Sequence, residues 1–297
     1  DELLLFANAG EELYVRWIET KEGKEGTIVQ LKAAPLKVAP LLKEALWANG
    51  ECFVLTSATL SVGGSIDYLA ERLGLDQFPG QRFCFSSYPG PFDWENQALL
   101  LIPTDIPEVT EENFPEELCH WITKATLISR GRAFVLFTSY KMLRLGFQKS
   151  CDALRDAGLQ PLCQGEMPRS RLLEAFRRSG KAVLFGTDSF WQGVDVRGEA
   201  LSLVIIARLP FAVPTEPLQV ARMEDIEAKG GDPFRELSLP QAVLKLRQGV
   251  GRLIRSKEDR GVVVILDRRI LSRSYGKIFL RSLPPMKVAA GPSQELF

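Results

Sequence analysis

The sequence contains no GxxxxGK[ST] loop, so the glycine-rich cradle whose backbone N–H groups hold nucleotide phosphates is missing from these 297 residues. Lys21, Lys24, Lys181 and Lys277 lie near glycines but not at that spacing. GxGxxG is absent as well, which removes the dinucleotide fingerprint and leaves any nucleotide role supplementary to groups held elsewhere. Histidine occurs once, at His120, excluding histidine-based triads and multi-histidine metal sites; a structural role is expected for it. The five cysteines, Cys52, Cys84, Cys119, Cys151 and Cys163, are never closer than twelve residues, so no CxxC metal or redox spacing exists. They read as buried, reduced thiols of a cytoplasmic protein. No apolar run approaches the roughly 18–20 residues that span a bilayer, and no basic-then-apolar leader opens the chain, so no membrane partner is expected. Net charge is also lacking, with 37 Lys+Arg against 37 Asp+Glu, so a general electrostatic pull toward nucleic acid is excluded.

A hydrophobic content of 45% is ample for one large core, or for one domain plus part of another. Charge is unevenly placed: Lys245 to Lys277 holds ten Lys/Arg against three Asp/Glu, a local balance of plus seven and a candidate surface for phosphates. The chain begins with Asp, and Leu3-Leu-Leu-Phe6 reads as the middle of an element, which suggests a piece of a longer protein. Up to about residue 75 the pattern predicts strands Leu13–Ile18 and Thr27–Lys32, a helix over Val38–Trp47 and a buried strand Cys52–Thr56. A stretch rich in Pro, Gly and Asp, from Pro79 to Pro107, reads as a linker between lobes, and a helix follows near Pro115–Ser129. Beyond residue 130, apolar runs Ala133–Phe137, Ala182–Phe185, Leu201–Ala207 and Val262–Leu266 alternate with helical segments 140–156, 169–178, 216–229 and 238–256. Uninterrupted runs suit strands buried on both faces, so the expected class is α/β with a parallel sheet wrapped by helices. Ligands of such sheets gather at the strands' carboxyl ends.

Four constellations carry chemistry. In Gln248-Gly-Val-Gly-Arg252-Leu-Ile-Arg255, a continuing helix would set Gln248, Arg252 and Arg255 on one face at i, i+4 and i+7, opposite Leu246, Val250 and Leu253. Gly249 and Gly251 weaken such a helix by about 1 kcal/mol each, a cost that fits close approach of a backbone or ligand. Gly186–Gly198 follows a strand and offers small and polar groups for phosphate or ribose, with Phe190 and Trp191 either stacking on bases or packing beneath the loop. Leu55–Leu60 and Phe137–Tyr140 place hydroxyls at strand exits, where they either bind phosphate or cap a helix. Asp267-Arg268-Arg269 either reaches a ligand or pairs within its own loop.

In order, these stretches resemble the motifs of superfamily-two helicases: Thr56–Leu60 motif III, Leu136–Tyr140 motif IV, Gly186–Gly198 motif V and Gln248–Arg255 the QxxGRxxR motif VI. Arg208-Leu-Pro-Phe211, Gly230–Phe234 and Leu266–Arg269 are similar to the DinG branch of the XPD-like group, over nearly the whole chain. The resemblance implies a RecA-like doubly wound parallel sheet with flanking helices over 111–297, a linker over 76–110, and over 1–75 the end of a first RecA-like domain. It implies an ATP-driven DNA helicase moving 5′-to-3′ on single-stranded DNA, with ATP and Mg²⁺ held mainly by the first domain and the iron–sulfur insert of some members outside this chain. By the same resemblance Arg252 and Arg255 reach the γ-phosphate, one as arginine finger, and Gln248, Gly193 and Asp195 complete the nucleotide side. Thr138, Ser139, Thr187, Ser189 and Arg208 lie nearer DNA, while Ser57, Ala58 and Thr59 couple ATP state to movement. Gln192 stands where many members carry Glu. A nucleic-acid-binding module of a nuclease-associated relative, without motor activity, is the alternative.

Overall fold

A computed structural model of the chain describes residues 14–23, 26–50, 52–78, 83–191, 201–213 and 215–296, without the side chain of Asp188. Two compact units emerge: Asp1–Ser86 with Ala212–Gln241, and Ser87–Phe211 with Ala242–Phe297.

In the first unit, β1 (Tyr14–Gly23) and β2 (Gly26–Pro35) form an antiparallel ribbon in register from Tyr14–Pro35 to Gly23–Gly26. A lone two-stranded ribbon is marginal in water, and helix α8 (below) packs against β1. Helix α1 (Ala39–Leu42) runs into a π-helical turn, Lys43–Trp47. With α2 (Asp67–Leu73) it encloses a small core of Trp47, Ala70 and Leu75, and the Trp47 indole donates to the Leu73 carbonyl at 2.8 Å. The expected buried strand Cys52–Thr56 is not formed: the segment is irregular, with Phe53, Val54 and Leu55 exposed by 46%, 81% and 46%. Its apolar run has no strand neighbour among the described residues, and an unpaired strand has nowhere to place its amides.

Short α3 (Trp94–Gln97) opens the second unit and leads into β3 (Ala98–Pro103), a strand inside the stretch read as a linker. Then come α4 (Phe114–Ile128), β4 (Ala133–Leu136), α5 (Tyr140–Asp156), β5 (Gln160–Cys163), α6 (Arg169–Ser179), β6 (Ala182–Gly186), α7 (Asp188–Trp191) and β7 (Leu203–Ile206). The next helix, α8 (Pro217–Ala228), belongs to the first unit, where Arg222 Nε donates to the Leu36 carbonyl at 3.2 Å. A π turn, Phe234–Ser238, runs into α9 (Leu239–Val250), which is followed by β8 (Gly261–Ile265), α10 (Arg269–Ser272), α11 (Gly276–Ser282), β9 (Lys287–Gly291) and α12 (Ser293–Leu296).

Seven described strands form one parallel sheet in the order β5-β6-β4-β7-β8-β3-β9. β4, β6 and β7 are buried along their whole length, as continuous apolar runs in a doubly covered sheet should be. Alternation sends Ala133, Val135, Phe185, Leu203, Ile205 and Val264 into one core with Leu118, Ile122 and Leu143 of α4 and α5. Phe134, Leu136, Val204 and Ile206, set between them, are buried on the opposite face, where Phe176 of α6 lies 4.6 Å from the Phe134 ring. The edges are the weaker strands: β5 carries Pro161, tolerated where one ladder is missing, and β9 is largely exposed.

Two further expectations are corrected. Residues 238–256 are not one helix; α9 ends at Val250, so Arg252 and Arg255 stand on the turn into β8 rather than on a helical face. The glycines at 249 and 251 mark that ending. Nor are all five thiols buried, since Cys52 and Cys84 are exposed. Among the described residues no helix is long and apolar enough to cross a membrane.

Candidate nucleotide and nucleic-acid site

Beyond β4 and β7 the chain departs toward opposite edges of the sheet, to β5 and to β8, and a crevice is expected at the carboxyl ends of such a strand pair. Thr138 and Ser139 leave β4 there, and Arg208 leaves β7. Ser139, extended at φ −147° and ψ 147°, caps α5 by accepting the Met142 amide at 3.3 Å, so capping already employs its hydroxyl. Thr187, at the exit of β6, is buried, and its amide and hydroxyl donate to Gln164 Oε1 at 2.6 and 3.1 Å. Gln164 Nε2 donates in turn to the Tyr140 hydroxyl at 2.6 Å. Sequence reasoning missed Gln164 because β5, the strand it follows, was missed. Ser189 is exposed on α7.

Trp191 joins the motifs. Its side chain is fully buried, its indole N–H donates to the Phe137 carbonyl at 3.0 Å, and its own carbonyl accepts from Arg252 Nε at 3.2 Å. Gly249 is required beside it: a Cβ there would meet the Trp191 ring at 2.7 Å and Leu136 Cδ1 at 3.3 Å. The approach foreseen for this glycine is therefore made by an indole. Phe190 is equally buried beneath Gly186, so both aromatics pack rather than present faces to bases. Gln248 and the Arg252 and Arg255 side chains are half-buried. Asp259 shapes their turn by accepting the Arg255 and Ser256 amides at 2.7 and 2.9 Å, and Gln97 Nε2 donates to the Ser256 and Asp259 carbonyls at 2.8 and 2.9 Å. Gln192, Gly193 and Asp195 lie outside the described residues.

Arg208 is drawn into packing, its Cζ 4.6 Å from the Phe114 ring and its Nη2 donating to the Val109 carbonyl at 3.2 Å. Burial, and then the charge of Arg269, push its pKa below the usual arginine value. Asp267 is completely buried, accepts the Leu209 amide at 2.8 Å and takes Arg269 through Nε and Nη2, at 2.9 and 2.6 Å. Arg268 pairs with Glu108 at 2.8 Å. Of the ten cations between Lys245 and Lys277, Arg268 and Arg269 are paired with carboxylates and Arg252 donates its Nε to the Trp191 carbonyl. Ser57, Ala58 and Thr59 form a turn of the first unit in which Ser57 Oγ accepts the Thr59 amide at 3.2 Å. Among the described residues no three His, Cys, Asp or Glu side chains converge to hold a metal.

Residues 122–286 match the family described as the helicase C-terminal domain, more than half of the chain. The chain belongs to that family. This helicase C-terminal domain is 43% identical over 272 residues to the ATP-dependent DNA helicase YoaA of Haemophilus influenzae, covering 91% of the chain and 40% of that relative. It is 39% identical over 280 residues to the ATP-dependent DNA helicase DinG of Photobacterium profundum, covering 92% and 39%. The protein of Bacillus subtilis named 3′-5′ exonuclease DinG is 38% identical over 285 residues, covering 94% and 30%. The chain therefore spans between three tenths and two fifths of these relatives' length. Two solved structures share the RecA-like fold, one an XPD helicase with a TM-score of 0.61 at 15% identity over 87% of this chain and 46% of that one. The other, Xpd4 of S. tokodaii, has a TM-score of 0.56 at 18% identity over 89% and 49%. The stretches resembling motifs IV, V and VI fall inside the matched residues, and the one resembling motif III falls outside them.

Proposed function

We propose that this chain supplies the second motor domain of an ATP-driven DNA helicase of the DinG/XPD-like kind, moving 5′-to-3′ on single-stranded DNA. The observation that supports the reading is the hydrogen bond from Arg252 Nε to the Trp191 carbonyl, because it joins the stretch resembling motif VI to the start of the one resembling motif V within a family of helicase domains. Arg252 and Arg255 act on the γ-phosphate of ATP, one as arginine finger, where such charge is worth on the order of 10³–10⁵ in rate. Gln248, Gly193 and Asp195 border the nucleotide. Thr138 and Ser189 face the DNA backbone, with Ser139 contributing its peptide while its hydroxyl caps α5; Thr187, bonded to Gln164, and Arg208, packed on Phe114, would reach DNA only by exchanging those contacts for phosphate. The half-buried, planar guanidinium of Arg252 fits an auxiliary hold on a phosphate. With no phosphate loop in the sequence, ATP and Mg²⁺ rest on a partner domain of the same protein.

Residues 1–75 read as the end of that partner domain and 111–297 as the second domain; of the stretch 76–110 between them, read as the linker, β3 is already part of the large sheet, and residues 212–241 pack with the first unit. The exposed Phe53-Val54-Leu55 run, an apolar strand sequence without a sheet, supports the first assignment. Ser57, Ala58 and Thr59 would then transmit ATP state to movement. The test is DNA-stimulated ATP hydrolysis by the full-length protein: Arg252→Ala and Arg255→Ala each abolish turnover while melting as wild type does. Unchanged turnover in both variants refutes the role. The relative named as an exonuclease favours a second reading, a nucleic-acid-binding module without motor activity. An intact GxxxxGK[ST] loop upstream decides for the motor, and a degenerate one for the module.

A further inference from the structure

At the strands' amino ends, opposite the crevice just described, lies an open cleft of about 740 Å³. It is lined by the first residues of β3, β8 and β9 and those preceding β4 and β7, and contains none of the residues assigned to nucleotide or DNA. Its charged lining is Arg130, Arg132, Arg260 and Lys287 against Glu95, a balance of plus three (4 − 1). Among the described residues, Arg130, Arg132 and Lys287 have no acidic partner, and Arg260 is held in place by the Lys257 and Asp259 carbonyls at 3.1 and 2.9 Å.

The cations are strung out rather than clustered. Arg132, Arg260 and Lys287 sit at the entrances of β4, β8 and β9, which are successively two strands apart in the sheet. At about 4.8 Å per strand, their backbones form a row with steps of roughly 10 Å. Such a row matches a chain of phosphates better than a single one. Leu99, Ile128 and Val262 supply an aliphatic floor, and Asn96 and Ser202 add hydrogen-bonding groups. The backbone that presents two of the arginines is also unusual: Arg130 and Arg132 have φ of 55° and 51° on either side of Gly131 at 80°. Side-chain-bearing residues rarely adopt this left-handed conformation, and it persists where surrounding structure enforces it. Here the enforcement is visible: Ser129 Oγ donates to the Gly131 carbonyl at 2.9 Å, and Gly131 lies so close to the Lys181 carbonyl that a Cβ would approach it to 2.5 Å.

We propose that this cleft binds a linear polyphosphate backbone, of a single nucleic-acid strand or of a chain of condensed phosphates, through Arg130, Arg132, Arg260 and Lys287. The site is independent of the motor reading, and loss of that reading through active Arg252 and Arg255 variants would leave it standing.

The experiment uses the whole chain and a fluorescent oligo-dT strand about 12 nucleotides long. Arg130→Gly/Arg132→Gly removes two charges at positions where glycine takes the backbone angle freely, so the melting temperature should hold or rise. Lys287→Gln changes one exposed side chain on an edge strand. The double variant should bind at least tenfold more weakly at low salt, with a log–log salt slope shallower by about 1.4, and Lys287→Gln should lower the slope by about 0.7. Linear polyphosphate of matched phosphate number, added as competitor, separates the sources: displacement at equal phosphate concentration assigns condensed phosphate, and weaker displacement assigns the nucleic-acid strand. Wild-type affinity and slope in both variants overturn the proposal.

Discussion

The Trp191 ring occupies the space that a side chain at Gly249 would need, with ring carbons 2.7 and 3.0 Å from where its Cβ would stand. Gly249→Ala should gain about 1 kcal/mol of helix propensity and lose more to overpacking, which costs about 1–3 kcal/mol in a filled core. A lowered urea midpoint with a shifted tryptophan emission is expected. Because the displaced ring belongs to the residue whose backbone carbonyl accepts Arg252, ATP turnover of the full-length protein, on the proposed motor role, should fall further than stability does. A variant as stable and active as wild type would show that the ring is not held as described.

Asp267 offers a second test. Its carboxylate is fully buried and its partner Arg269 is exposed by 22%, so Asp267→Asn preserves shape while leaving a guanidinium largely out of water without its counter-charge. A loss of about 3 kcal/mol in denaturant unfolding is expected, near the lower end for broken buried pairs. A loss below 1 kcal/mol would mean that solvent screens the pair.

Acid should reveal Asp225. Its hydrogen bond from Lys229 and, after the opposing effect of burial, that from Lys37 hold its pKa below the ordinary 3.8. A depressed carboxylate contributes stability that is present above its unfolded pKa and is lost as pH falls through its folded pKa. Asp225→Asn should therefore be less stable than wild type at neutral pH and indistinguishable from it in strong acid. Parallel curves throughout the titration would remove Asp225 from the linkage.

The thiols should divide by burial. Cys52 and Cys84 are exposed, whereas burial, and then Glu166, push Cys163 up to about 11, and burial raises Cys119 and Cys151 as well. Near pH 8, an aromatic disulfide reagent should label two thiols quickly and three only after denaturation. Rapid labelling of four or five would contradict the buried positions.

Ala133–Phe137 and Ala182–Phe185 were legible as buried parallel strands because an apolar run with no polar member has few other places to go. β3 was not, since Pro91 and Pro103 flank Leu99–Ile102 and suggested a linker. β5 was hidden by Pro161, which only an edge position tolerates. Cys52–Thr56 failed the other way: it has strand composition but no neighbour with which to pair. The stretches resembling motifs IV to VI fall within the residues that match the helicase C-terminal domain, so the family was legible in them. The role of Trp191 was not, because hydrogen bonds to the Phe137 and Trp191 carbonyls depend on which backbones meet, and composition does not encode that.

The two borders of the described sheet both carry residues that discourage a further strand. A β-strand added alongside β5 would find a proline ring in place of one amide, and one added beside β9 would meet an ammonium group at its first residue. Both are devices that discourage lateral templating. Along both margins of the described sheet, crowding in a cell or a concentrated stock is thereby less able to zip neighbouring molecules into ribbons.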